Sequence, residues 1–312
     1  MASSPTPSLP SPVLGFETSH HDSPSGGYNN IDPNAPLAQT LWSLQVPLYI
    51  THASDGSKPP FIVSVPRFSY LAFLLPRLTA YFGLPCSSFH HEEVQLRNLA
   101  VGLLVDLYQP SLPWKLVVGD GPEWDIADTF TNSVKEADFV RNGNAKQIMS
   151  MSKENSTALW NAVLDNDYAA WSRIHRGLLN TPDPLKHVPI RIYVPSSSDR
   201  NDTSAGSFKV VQRLIPPRLP NLGMALKAVL PSLFPSSRDP VLANVILHGG
   251  PVPFRAPLEE LMREAVYPDG WLCLQMRNNS NNFTDSFELY WTSTPEYDVR
   301  GWAQHMRART IQ

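Results

Sequence analysis

The sequence predicts an α+β chain: two small mixed domains with the same order of elements, flanking a segment that is helical throughout. Three observations predict it. Short alternating apolar runs bounded by polar turns occupy two blocks, 40–121 and 185–277. Each block passes from a hairpin to a helix and back to strands. Between them, 122–184 shows only helical spacing of its apolar residues. A series of strands and helices of this kind is weak evidence once and better evidence when it occurs twice in one chain.

The first block begins in "LWSLQVPLYITH". Val46, Leu48 and Ile50 alternate with Pro47, Tyr49 and Thr51, as in a strand with one buried face. Pro47 suits an edge strand or the start of a strand, because it lacks the N–H that a ladder needs. The polar turn "ASDGSKPP" leads to "FIVSVP", and two apolar runs around a glycine-containing loop read as a hairpin. "RFSYLAFLLPRLTAYFG" has helical spacing through Tyr70, Phe73, Leu74 and Leu78, with Gly83 as its stop. Pro76 inside that run predicts a kink or two short helices. A strand in "FHHEEVQLR", a short helix in "GLLVDLY" and a strand in "PWKLVVG" complete the block.

The second block repeats the order. "IRIYVP" and "FKVVQRLIP" are strands joined by the loop "SSSDRNDTSAGS". "NLGMALKAVLPSLF" is a helix, "VILHG" a strand, "PLEELMREAVY" a short helix and "WLCLQM" a last strand. This is the element order of the β-grasp, or ubiquitin-like, fold. The fold class is therefore α+β, with two ubiquitin-like domains flanking a helix-rich one.

Three helices are expected in the middle: "DIADTFTNSVKEADFVR", "SKENSTALWNAVL" and "DYAAWSRIHRGLL". In the first, Ile126, Phe130, Val134 and Ala137 cluster on one side. In the other two, Leu159, Val163, Tyr168, Trp171, Ile174 and Leu178 face inward, and Asp167 can cap the third helix. At roughly 100° per residue, Lys135 lies opposite Ile126 and Ala137 and points away from the bundle. Asp138 and Phe139, three and four residues on, are expected on the face of Lys135. A solvated surface charge is the plain reading of such a lysine. A lysine beside an exposed aromatic also reads as a contact patch.

Composition narrows the classes of function. The chain has 312 residues, 42% of them hydrophobic, enough for two or three domains. Charged residues make up 17%, with a net charge of −3 and a pI near 6.3. That balance argues against a nucleic-acid binder. Residues 1–39, rich in Pro, Ser, Gly and Asn, are expected to be a disordered tail, and 278–312 a C-terminal extension. The first thirty residues lack the basic start and apolar run of a secretory signal, and no window is long enough to span a membrane. Two distant cysteines, Cys86 and Cys273, without metal-ligand spacing, fit a reducing, cytoplasmic compartment.

At this point the residues resemble those of a known family. "VKEADF" at 134–139, "ALWNAVLDNDYAAWSRIHRGLL", "HVPIRIY", "PRFSYL", "VGLLVDL", "LPWKLVV" and "ILHGGPVPFRAPLEELMREAVYPDGWL" occur in the order found in autophagy protein 5, from about Leu41 to Met276. The chain resembles a fungal-type member with extended tails at both ends. Two details depart from the pattern: Leu44 stands where a glycine is common, and the segment before "VGLLVDL" is less aromatic. The resemblance implies that Lys135 is joined through an isopeptide bond to the C-terminal glycine of a ubiquitin-like modifier, autophagy protein 12. It implies a bound helix of autophagy protein 16, with Trp42 and Pro47 in the region of the groove; Phe139, from the helical spacing above, is a further candidate for partner contact beside Lys135. It implies that the complex promotes E3-like transfer of autophagy protein 8 to phosphatidylethanolamine, with the chain cytoplasmic and peripheral on the preautophagosomal membrane. The chain itself is then a non-catalytic subunit without cofactor or metal.

Other candidates compete with this. "CSSFHHEE" places Cys86 near His90 and His91, which a cysteine hydrolase could use as nucleophile and base. Adjacent strand histidines face opposite ways, so at most one would serve. The glycine turns "GDGP" and "LHGGP" lack the spacing of a phosphate loop. Arg173, Arg176 and Lys186 could touch anionic lipid, and a solvated helix face explains them as well. The ending "RARTIQ", without a double glycine, argues against a donor modifier.

Overall fold

A computed structural model describes residues 36–122, 125–179, 184–195 and 208–278. The first short helix, α1 (Leu37–Ser43), leads into the hairpin β1 (Gln45–His52) and β2 (Phe61–Pro66). A 3-10 turn over Leu71–Leu74 then joins α2 (Leu75–Phe82), with Pro76 in its first turn and Gly83 (φ 67°) as its left-handed cap. Two short helical pieces are thus what the proline produces. β3 (Ser88–His91), β4 (Val94–Gln95), α3 (Val101–Tyr108) and β5 (Trp114–Gly119) follow. The strand order is β2-β1-β5-β3-β4, with β1 parallel to β5 and the other neighbours antiparallel. A central parallel pair flanked by antiparallel neighbours is the β-grasp topology.

The second sheet has the same plan. β6 (Ile190–Pro195), β7 (Phe208–Gln212), α8 (Leu222–Val229), β8 (Ala243–Leu247), β9 (Gly250–Pro251), α9 (Leu258–Glu264) and β10 (Leu272–Asn278) give the order β7-β6-β10-β8-β9. Here β6 and β10 are the parallel pair. Between the sheets lie α4 (Ile126–Asn142), α5 (Lys146–Met149), α6 (Lys153–Leu164) and α7 (Tyr168–Leu179). Asp167 caps α7 as expected, accepting the Ala170 N–H at 3.0 Å.

Several expectations need correction. Leu37, Ala38 and Thr40 are buried in α1, so the segment 37–39 is not tail. "FHHEEVQLR" forms two short strands, not one, around a turn with Glu92 at φ 55°. β1 is a central strand, so of the two alternatives for Pro47 the edge fails and the strand start holds, Pro47 being its third residue. Pro47 is tolerated because its pairing with β5 begins one residue later, at Leu48 opposite Trp114. The short helix α5 had no strong signal in the sequence. The loop 196–207 and the segment 279–312 lie outside the described residues.

Two cores hold the molecule. One lies under the first sheet, with Leu48, Ile50, Leu78, Val101, Leu104, Trp114 and Leu116. The other is continuous through α1, the outer side of α3, the helical region and the second sheet. Trp42 joins these parts, with its ring 5.5 Å from Phe68, 6.1 Å from Tyr168 and 5.2 Å from Trp171.

Candidate functional site: the outward face of α4

The sequence sets the orientation of α4 in three ways. Asp125 caps its start by accepting the Asp128 N–H at 2.9 Å, and Gly143 (φ 70°) ends it by donating to the Phe139 carbonyl. Phe130, Val134 and Ala137 form the stripe buried against the core. Trp271 Nε1 donates to the Ser133 carbonyl at 2.9 Å, so α4 also docks on the turn before β10.

That orientation turns Phe139 outward and leaves Lys135 on the flank of the buried stripe. Lys135 is half-buried, and among the described residues its ammonium makes no hydrogen bond and no ion pair. Phe139, one turn on, is 56% exposed, and Met149 on the adjoining α5 is 66% exposed. Asp138 does not share this face. It is fully buried, with its carboxylate accepting the Ile148 N–H at 3.0 Å and the Asn142 side-chain amide at 2.7 Å. A three-residue spacing allowed either side of the helix, and the need to cap α5 decides for the interior. Glu136 is also engaged, at 2.6 Å from Arg191 Nη2. Neither neighbouring carboxylate is therefore paired with the Lys135 amine.

Beneath this face lies Arg141, fully buried, with no hydrogen bond from its guanidinium among the described residues. Burial pushes its pKa down to about 10, while Asp138 and Asp269 act to raise it. Gly270 (φ +85°) lets the chain pass over it; a Cβ there would sit 3.2–3.3 Å from both terminal nitrogens.

The remaining sequence candidates are distributed elsewhere. Trp42 is 3% exposed, so it is a packing residue and offers no surface to a partner. Pro47 is half-buried in β1. Cys86 is buried, its Sγ 3.4 Å from the Leu84 carbonyl, and burial raises its pKa. His91 Nδ1 accepts the Trp114 indole N–H at 3.1 Å, and neither His90 nor His91 bonds to the thiol. A buried, protonated thiol without a base lacks what a hydrolase needs. Arg176 folds back on Ser172. Lys186 lies at the C-terminal end of α4, where its backbone N–H donates to the Arg141 carbonyl.

Sequence reasoning missed Arg191, Ser133, Asp269 and Trp271, which meet at α4. They come from three separate segments, and no spacing along the chain links them.

The fold and this face define a class: a three-part protein with a helical region carried between two ubiquitin-like domains. Comparison with known proteins agrees. Family models described as "Autophagy protein ATG5, UblA domain", "alpha-helical bundle region" and "UblB domain" match residues 41–119, 123–181 and 187–276. Autophagy protein 5 of Chaetomium globosum is 74% identical over 279 residues, covering 87% of this chain and 98% of that one. Autophagy-related protein 5 of Neurospora crassa is 63% identical over 293 residues, covering 85% and 80%. The crystal structure of Kluyveromyces marxianus Atg5 shares the fold, with a TM-score of 0.63 at 19% identity, over 77% of this chain and 99% of that one. The chain belongs to the autophagy protein 5 family, and its role is in autophagy.

Proposed function

We propose that the chain is a non-catalytic scaffold whose Lys135 accepts a ubiquitin-like modifier, autophagy protein 12. The Lys135 nitrogen attacks the thioester that joins the modifier's C-terminal glycine to its conjugating enzyme. The C–N bond forms, the C–S bond breaks, the enzyme's thiolate leaves, and the amine's proton passes to solvent or to a base on that enzyme. The single observation that carries this reading is the Lys135 amine, half-buried on α4 one turn from exposed Phe139, with no hydrogen bond or ion pair among the described residues.

Attack on a thioester needs an amine that has given up its proton, and among the described residues no carboxylate or imidazole pairs with Lys135 to take it. Desolvation and the activated acyl group must then come from the conjugating enzyme, while this chain presents the nucleophile. In the same reading the conjugate binds a helix of autophagy protein 16. It then promotes transfer of autophagy protein 8 to phosphatidylethanolamine, acting from the cytoplasm at the preautophagosomal membrane. Burial of Trp42 moves the expected contact with that helix away from its ring.

Lys135→Arg keeps the charge and most of the packing but removes the nucleophile. The expected outcome is complete loss of the higher-mass conjugate from host lysate, with an unchanged melting temperature, while Cys86→Ser leaves the conjugate in place. Persistence of the conjugate in the Lys135→Arg strain would exclude this site.

A further inference from the structure

We infer that Arg191 is the positioning residue for the acceptor amine; this rests on Lys135 being the acceptor. Arg191 belongs to β6 of the second ubiquitin-like domain, yet its guanidinium reaches across to α4. Nη1 donates to Ser133 Oγ at 2.9 Å, and Nη2 donates to Glu136 Oε2 at 2.6 Å. Asp269 Oδ2 lies 3.7 Å from Nη1 and accepts from Ser133 Oγ at 2.7 Å. The guanidinium carbon sits 4.0 Å from the centre of the Trp271 ring, which holds the fork from the other side. The Arg191 side chain is 15% exposed and that of Asp269 11%, so the inner contacts are shielded from water, while Glu136, 60% exposed, meets the fork at the surface.

The two residues that Arg191 grips stand on either side of Lys135 in sequence. Packing of Phe130, Val134 and Ala137 fixes which side of α4 is buried, and the Trp271 bond to the Ser133 carbonyl and the Asp138 bond to α5 anchor that buried side; apolar contacts are non-directional, so the outer edge that carries Lys135 keeps a small freedom to roll. At a helix surface about 5–6 Å from its axis, a roll of about 10° moves a group by roughly 1 Å. A misplacement of that size can cost about a hundredfold in rate when two reacting groups must meet. Two hydrogen bonds in a planar fork remove that freedom, as a single-point ammonium would not. The second ubiquitin-like domain thereby sets the azimuth at which the helical region presents its amine.

The test is single-turnover transfer of the modifier, charged as a thioester on its conjugating enzyme, to the full chain at increasing concentrations. Arg191→Ala is expected to lower the maximal rate about tenfold, with the half-saturating concentration within about twofold of wild type. Glu136→Ala removes an exposed carboxylate and does not endanger folding; it is expected to lower the maximal rate in the same sense by about threefold, since the Ser133 contact stays. Glu136→Ala decides alone if Arg191→Ala does not fold. Wild-type maximal rates in the folded variants, or a loss confined to the half-saturating concentration, overturn the inference. Failure of the underlying reading looks different: Lys135→Arg would then be conjugated as well as wild type.

Discussion

Single residues set how this protein responds to pH. His175 is stacked on Trp171 at 4.4 Å, and His248 packs against Phe68 and Tyr267 while its Nε2 donates to the Ala265 carbonyl at 2.8 Å. Both are buried, and burial pushes each pKa down to about 3, with Arg141 adding to the effect on His175 and Arg67 to that on His248. In the unfolded chain each would titrate near 6.5. Below that value the unfolded state binds protons that the folded state refuses. Their contribution is therefore intact above about pH 6.5 and is lost progressively as pH falls toward about 3. Each histidine is expected to remove about 2 kcal/mol between neutral pH and pH 5. Urea denaturation at the two pH values measures this; His248→Gln should shallow the slope, and an unchanged slope would contradict the assignment. Neither histidine was legible as buried from sequence, since burial of a polar ring is decided by contacts between segments far apart.

Trp42 illustrates the same limit. Its place in "LWSLQVP" was compatible with a groove lining or with packing. Three aromatic neighbours, two of them contributed by α7, settle it as packing. Trp42→Ala is expected to cost about 3–5 kcal/mol, as for other buried aromatics, readable as a shift in the urea midpoint. A near-neutral result would mean that the ring is not part of the core.

At the scale of elements, α3 is the joint. It is buried on nearly every side because it faces both cores: Val101 and Leu104 look toward the first sheet, and Leu103 and Leu107 toward the helical region and the second domain. Asp106 on α3 is buried in an ion pair with Arg67, whose guanidinium also donates to the Gly102 carbonyl at 3.2 Å. Ordinarily alanine in place of glycine favours a helix by about 0.5–1 kcal/mol. Here a Cβ on Gly102 would lie 2.2 Å from Arg67 Cγ, and the ion pair keeps that side chain from swinging away. Gly102→Ala is therefore expected to destabilise by about 1–3 kcal/mol, through overpacking. Calorimetry of the variant checks the sign, and a raised melting temperature would contradict the packing described. The helical nature of "VGLLVDL" was legible, whereas the need for glycine at its second position was not, because Arg67 lies 35 residues earlier.

Among the helices, periodicity located α4, α6 and α7 well, since each shows a one-sided apolar stripe over at least three turns. It missed α5, which is one turn long and depends on the buried Asp138 carboxylate for its cap. The exposure of Phe139 followed from the same periodicity, whereas the half-buried position of Lys135 and the inward turn of Asp138 did not.

At the scale of the whole molecule, the duplicated order of elements was the most legible feature, because hairpin loops, glycine stops and alternating runs are all local signals. The union of the helical region with the second domain was not legible. One continuous core runs from Phe130, Val134 and Trp171 to Leu247, Tyr267 and Met276, while the first sheet keeps a core of its own. The helical region and second sheet are therefore expected to open together in native-state hydrogen exchange, with the first sheet separable. Independent opening of α6–α7 at lower free energy than β6 and β10 would contradict a shared core.

The central claim is that the two ubiquitin-like domains frame a helix in order to present one amine. Mass spectrometry of tryptic peptides from the protein isolated from its host tests this most directly. The expected result is a branched peptide in which cleavage fails at Lys135 and that side chain carries the modifier's C-terminal residues, with the other seven lysines unbranched. A linear peptide cleaved at Lys135 throughout, or a branch at another lysine, would contradict it.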